Sequence, residues 1–269
     1  MQIGFSVNEI LFLLSLASGA CWVAWRRRLR RIPCPERKPF WVSLGAELFV
    51  VIGLMFTCRV ALADWPRVPS GSMEPTLRVG DYLLVNHLAY GPRLPFTNTA
   101  IEIGQPQRGD VVVFRYPLDV SEFYVKRLVG LPGDVVRFEK GLVSVNGEVQ
   151  PPEMLSDGTG PDVREEDRGH WLMRETVQQR QRVVKLNPFV QGRLMLNLNE
   201  PGLAENCRAE TSTTWQCTVP AGRYLMLGDN RDNSEDSRVW GFLPHEQVYG
   251  KAVRVLFNWS DLSRSWTAL

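Results

Sequence analysis

The chain has 269 residues, 44% of them hydrophobic and 22% charged, with a formal net charge of +2. That length holds one large domain or two small ones, and the composition is that of a globular protein with a packed core. A charge so near neutrality excludes a generally basic nucleic-acid binder, so no nucleic-acid partner is expected.

The first sixty residues read as membrane. From Ile3 to Trp25 the chain is apolar apart from Ser6, Asn8, Glu9 and small hydroxyls. Its charge-free part, Ile10 to Trp25, crosses most of a bilayer core at about 1.5 Å per residue. Trp22 and Trp25 then fall at an interface, where amphipathic rings are favoured. A basic cluster follows: Arg26, Arg27, Arg28, Arg30, Arg31, Arg37 and Lys38, against the single acid Glu36. A second apolar run, Phe40 to Ala63, is interrupted by Glu47 and Arg59. The acid is costly at the centre of a span, so this run also fits a buried helix of a soluble domain. The arginines follow the first apolar core rather than precede it, which argues against a cleaved signal and against lipid attachment at Cys21. A basic cluster confined between two apolar runs fits the positive-inside rule better than it fits a nucleic-acid patch. The expectation is two transmembrane helices, 1–25 and 40–63, joined by a cytoplasmic loop, 26–39, with residues 64–269 exported.

Residues 68–77, Val-Pro-Ser-Gly-Ser-Met-Glu-Pro-Thr-Leu, come next. Proline fixes φ and glycine admits shapes closed to other residues, so this segment can hold a hydroxyl on a pre-set turn. By composition alone it also reads as a linker.

Beyond residue 80, β-branched and apolar runs recur between turn signals. They predict strands at Tyr82–Asn86, Val111–Tyr116, Phe123–Val129, Val135–Glu139, Leu142–Val145, Trp215–Val219, Arg223–Leu227 and Val253–Asn258. Lys140-Gly141 and Asn146-Gly147 are turn dipeptides between such runs. The fold class expected is mainly β, a predominantly antiparallel sheet domain. Residues 151–222 look like an accessory insertion, with a helix around Glu165–Val184. Cys21, Cys34 and Cys58 fall in or beside the membrane segment, whereas Cys207 and Cys217 are an even pair in the exported part and read as a disulfide, with two unpaired thiols as the alternative.

The histidines, His87, His170 and His245, are scattered and lack metal-ligand spacing. Lys126 is different. Strand alternation places it on one face with Tyr124 and Leu128, where burial lowers a lysine's pKa and makes it a base; a shifted register would leave it solvated. In the loop Gly228–Arg238, Ser234 is suited to orient a lysine, and Asp236 with Arg238 to form a fixed ion pair; the same composition also fits a solvated loop.

These blocks resemble the bacterial type I signal peptidases, membrane-anchored Ser/Lys endopeptidases that remove signal peptides from exported preproteins. The resemblance rests on Pro-Ser-Gly-Ser-Met-Glu-Pro-Thr-Leu at 69–77, Arg-Gly-Asp-Val-Val-Val-Phe at 108–114, Tyr-Val-Lys-Arg-Leu-Val-Gly-Leu-Pro-Gly-Asp at 124–134 and the block at 228–238, in the family's order. It implies Ser72 as nucleophile, Lys126 as general base, and Ser70 with the Ser72 N–H as oxyanion hole. It also implies Ser234 as the lysine-orienting residue, with Asp236 and Arg238 as support. Val68, Pro69, Met73, Leu77, Tyr124 and Val125 are the matched candidates for pockets that accept small residues, as in Ala-x-Ala. No metal or organic cofactor is implied. The implied partners are preprotein signal peptides and membrane phospholipid, with Trp65 near the headgroups, for a monomer in the bacterial cytoplasmic membrane with its catalytic domain on the periplasmic side. Self-cleaving repressors share the Ser/Lys pattern but lack the membrane spans. A tethered binding protein with inactive blocks is the rival from another class.

Overall fold

A computed structural model describes residues 7–29, 40–57, 59, 62–91, 103–190 and 196–269. Residues 30–39 of the expected basic loop, with Cys34, and also Cys58, lie outside the described residues.

The chain divides into two units. One comprises residues 1–64 and 92–101. It contains helices α1 (Val7–Leu29) and α2 (Phe40–Thr57) and the two-residue strand β1 (Ala63–Asp64). The helices pack on each other through Phe12 with Phe56 and Trp22 with Phe49, at centroid distances of 5.8 and 5.9 Å. Among the described residues one stretch, Ile10–Arg27, is long and apolar enough to cross a membrane; the apolar part of α2, Ser43–Thr57, is shorter. Glu47, the acid that interrupts the second run, is exposed and accepts the Ser43 hydroxyl at 2.8 Å. Arg59 pairs with Asp64 at 2.8 Å.

The second unit, residues 65–91 and 102–269, is mainly antiparallel β. Its strands are β2 (Asp81–Asn86), β3 (Val111–Tyr116), β4 (Asp119–Gly130), β5 (Val135–Glu139), β6 (Leu142–Val145), β7 (Glu153–Ser156), β8 (Trp171–Val177) and β9 (Arg180–Leu186). After the short helix α3 (Pro201–Asn206) come β10 (Cys207–Thr211), β11 (Thr214–Thr218), β12 (Arg223–Leu227), helix α4 (Ser237–Trp240), β13 (Leu243–Pro244), β14 (Val248–Asn258) and β15 (Thr267–Ala268). The main sheet runs β2-β14-β3-β4-β12-β13, with β15 added on β14. Its interior strand β3 begins Val-Val-Val-Phe, buried throughout, as a strand covered on both faces requires. Two smaller sheets run β10-β11-β5-β6 and β7-β8-β9.

The turn dipeptides lie where expected, with Lys140-Gly141 and Asn146-Gly147 all at positive φ. The helix expected around Glu165–Val184 is not there. A 3-10 turn at Glu165–Asp167 leads into the β8–β9 hairpin, which reverses at Gln178 and Gln179 with φ of 46° and 66°. The alternation was masked because two inward positions are charged. Glu175 and Arg182 face each other across the hairpin and pair at 2.6 Å, so the buried face does not read as apolar. Nor is 151–222 a separate subdomain. Its strands β10 and β11 complete the sheet begun by β5 and β6, and Cys207 and Cys217 form a disulfide at facing positions of β10 and β11.

Three features of this frame set the position of the site. Alternation along β4 directs Tyr124, Lys126 and Leu128 to one face and Val125, Arg127 and Val129 to the other. Antiparallel pairing sets Val112 opposite Lys126, and Arg127 opposite Leu227 at the end of β12. The loop after β12 is thereby delivered beside Lys126. On its far side that loop is held by β9, since Lys185 N–H donates to Asp229 C=O at 2.8 Å and Arg231 N–H to Lys185 C=O at 3.0 Å.

Candidate active site

Gly71–Met73 forms a single 3-10 turn, entered from Ser70 in extended conformation. The turn is fixed from outside by Asn230, whose backbone N–H donates to Ser72 C=O and whose side-chain amide donates to Gly71 C=O, both at 3.1 Å. Gly228 passes so close that an added Cβ would stand 2.5 Å from Ser72 O and 2.2 Å from Ser234 Oγ. Only glycine fits there, and its absence of a side chain lets the loop lie against the serine turn.

Lys126 Nζ donates to Ser72 Oγ at 2.7 Å. Both residues are buried, at 4% and 8% exposure, so the pair is withdrawn from water. Ser70 Oγ lies 3.4 Å from Ser72 Oγ, and the Tyr124 ring centroid 5.4 Å from the amine. Burial lowers the Lys126 pKa from 10.5 to about 8; Asp236, Glu235 and Asp229 oppose that shift and Arg238 adds to it. Desolvation thus outweighs the surrounding carboxylates, and about a tenth of the amine is neutral at pH 7.

A cleft of about 570 Å³ opens over this pair, walled by the serine turn, by Phe123–Lys126 and by Asp232–Glu235. Of the expected pocket residues, Pro69, Tyr124 and Val125 line it. Val68, Met73 and Leu77 do not. They are 2%, 0% and 0% exposed and pack into the apolar core with Leu83, Val85 and Val255, because the turn presents its polar side outward and its apolar side to the sheet. Ser234 lines the cleft, but its buried hydroxyl has no hydrogen-bond partner among the described residues, so the expected bond to Lys126 is not formed.

Asp236 and Arg238 form the expected pair, with Nε and Nη2 each donating at 2.8 Å and both side chains fully buried. Asp236 also caps α4 and accepts Gly228 N–H at 2.9 Å. Burial pushes its carboxyl up, but Arg238 and these N–H donors outweigh that, and the net shift is downward.

Several supporting residues carried no assigned role in the sequence. Arg127 grips Asp229 at 2.8 and 2.6 Å, and Asp229 accepts the Thr76 hydroxyl at 2.6 Å, so β4 and the loop together fix the exit of the serine segment. Glu74, from which nothing was inferred, pairs with the buried Lys185 of β9 at 3.0 Å. Arg127, Asp229 and Asn230 all sit within the matched blocks, so the blocks themselves were the available signal. None of the histidines lines the cleft: His87 is buried against Tyr249, His170 is half-buried and bonds Arg168 C=O at 3.0 Å, and His245 bonds Tyr224 at 2.7 Å. Among the described residues no cluster of His, Cys, Asp or Glu could hold a metal ion.

A family model described as signal peptidase, peptidase S26, matches residues 41–257. Signal peptidase I of Pseudomonas aeruginosa is 38% identical over 240 residues, 84% of this chain and 76% of that protein. Signal peptidase I of Haemophilus influenzae is 32% identical, with 98% and 89% covered. A crystal structure of a signal peptidase I from Enterococcus faecalis aligns with 25% identity and a TM-score of 0.31, over 56% of this chain and 98% of that one.

Proposed function

The chain belongs to the signal peptidase family, peptidase S26, and we propose that it cleaves preproteins with Ser72 as nucleophile and Lys126 as general base. Its enzyme class is accordingly that of a serine endopeptidase acting on signal peptides. The observation that carries the dyad reading is the 2.7 Å contact between a buried, pKa-lowered amine and a hydroxyl at the floor of an open cleft. In the neutral form the contact reverses, the hydroxyl donating to the amine lone pair. Ser72 Oγ attacks the scissile carbonyl carbon while Lys126 takes its proton. The Ser70 hydroxyl and the Ser72 N–H face the oxyanion of the tetrahedral intermediate. The resulting ammonium returns the proton to the departing amine of the mature protein, leaving the signal peptide esterified to Ser72. Water, deprotonated by Lys126, hydrolyses the ester and restores the hydroxyl.

An extended substrate adds as a strand between the serine turn and Phe123–Lys126, and the shallow wall of Pro69, Tyr124 and Val125 favours small residues such as Ala at −1 and −3. The apolar Ile10–Arg27 stretch supports anchoring in the bacterial cytoplasmic membrane, where the substrate's own apolar core resides. With α2 as a second span, the catalytic unit faces the periplasm, as a monomer against the phospholipid surface.

The test is purified protein with a preprotein whose signal peptide ends in Ala-x-Ala. Cleavage follows that sequence, and Ser72→Ala or Lys126→Ala lowers kcat by about a thousandfold or more without unfolding, whereas His87, His170 and His245 substitutions leave it nearly intact. Normal turnover by the Lys126→Ala protein would falsify the dyad.

A further inference from the structure

Beside Arg127 of β4, a second cavity, of about 300 Å³, is lined by four arginines: Arg108, Arg127, Arg180 and Arg182. They arrive from separate segments, the approach to β3, strand β4, and the two ends of the β9 sequence Arg-Gln-Arg. Gly109 makes the convergence tight. Its φ is +90°, and an added Cβ would stand 2.9 Å from Arg180 Cδ, so a side chain there would push Arg180 off the wall.

The charges around this cavity do not balance. Arg108 is paired with Asp134, and Arg127 with Asp229. Arg182 shares Glu175 with Arg231, and Arg180 shares Asp110 with Lys251. Six cations thus face four side-chain carboxylates, and Leu269, which also lines the cavity, brings one further negative charge on its α-carboxylate, so a net positive charge remains. Arg180 is half exposed and 3.6 Å from its carboxylate, with Nη2 donating to Gln107 Oε1 at 2.9 Å. Arg182 is tightly buried, 5% exposed at the side chain, yet its Nη2 donates to nothing among the described residues. A buried guanidinium N–H without an acceptor is rare and costly, and the commonest cause is an absent water or ion. Burial and the neighbouring Arg231 and Arg127 push the Arg182 guanidinium below its ordinary range, against Glu175.

We propose that this cavity binds a phosphate group. A phosphate anion answers the surplus positive charge and offers an acceptor to the buried Arg182 Nη2 with Arg180 beside it at the wall, while Arg108 and Arg127, whose N–H groups are already engaged, add their charge. The space admits the group with water or with the carbon of a phosphoester. Once bound, it ties the β8–β9 hairpin to β4 through Arg127, the residue that also holds Asp229 behind the dyad. The site is independent of the proteolytic reading and uses none of the cleft residues.

The experiment is thermal unfolding of the full chain in detergent at fixed pH and ionic strength, with inorganic phosphate replacing chloride up to about 10 mM. A saturating rise in Tm of about 4 °C is expected for the wild type. Arg180→Gln, at a half-exposed position that keeps the fold, reduces the rise to less than half. Arg182→Gln does the same where it folds, though it leaves Glu175 with one fewer partner. A parallel titration with a short-chain phosphatidylglycerol identifies the source: a response to lipid alone assigns a headgroup, and a response to phosphate alone assigns the free ion. No saturable rise with either ligand, or an equal rise in Arg180→Gln, overturns the proposal.

Discussion

Lys126 and Arg127 are consecutive in β4 and hold the two halves of the site from opposite faces of the sheet. Lys126 Nζ reaches Ser72 Oγ at 2.7 Å, while Arg127 grips Asp229 at 2.8 and 2.6 Å, and Asp229 in turn holds Thr76. One strand therefore sets the amine and, through the loop behind it, the segment that carries the hydroxyl. The amine's protonation and the rigidity of its support are thus open to separate measurement.

The amine titrates near pH 8, so kcat/KM rises as pH increases through about 8 and levels off above it. Stability follows the same group with a definite sign. The folded-state pKa lies below the unfolded value, so between about 8 and 10.5 the unfolded chain binds more protons and stability from this group rises with pH. Denaturant melting of the wild type against Lys126→Met across that window isolates the slope; parallel curves would refute the buried-amine reading.

Ser234 is a positioning residue in this scheme. Its hydroxyl is buried in the cleft wall without a hydrogen-bond partner among the described residues, placed to turn to the amine when substrate fills the cleft. Ser234→Ala is expected to lower kcat/KM by about 10- to 100-fold and to move the pH–rate profile, with Ser234→Thr recovering part of both. A structural role alone would change melting and leave the profile in place.

Breaking the Asp236–Arg238 pair strands a fully buried guanidinium. Asp236→Ala should cost about 3–5 kcal/mol in urea unfolding, and replacing both residues with apolar ones should recover much of it. If the single substitution proves as mild as the double one, the pair contributes little to the fold.

The disulfide is remote from the chemistry, since neither cysteine lines the cleft. Replacing both by serine should cost roughly 2–3 kcal/mol, as for a loop of this short length, while cleavage well below the melting temperature stays unchanged. A large loss of kcat at low temperature would contradict this separation.

The strands of the main sheet were legible because their residues obey simple rules. Val111–Tyr116 is a β-branched run, and Lys140-Gly141 and Asn146-Gly147 carry the backbone freedom that hairpins require. The β8–β9 hairpin was not legible, because its inward-facing Glu175 and Arg182 pair only across a fold that the linear pattern does not display. Similarly, Met73 and Leu77 looked like pocket residues by their place beside the serine, and only packing shows them turned into the core.

Sequence by itself determined which chemistry was on offer: a hydroxyl on a Pro- and Gly-bounded turn, a lysine on the apolar side of a strand, and the blocks that name the family. Those are local properties, set by backbone restriction and two-residue alternation. Tertiary structure alone decided that the lysine loses its water and meets Ser72, and that four arginines gather around a second cavity. Desolvation and charge crowding depend on which distant segments close around a group, and such quantities arise only when the sheet brings those segments together.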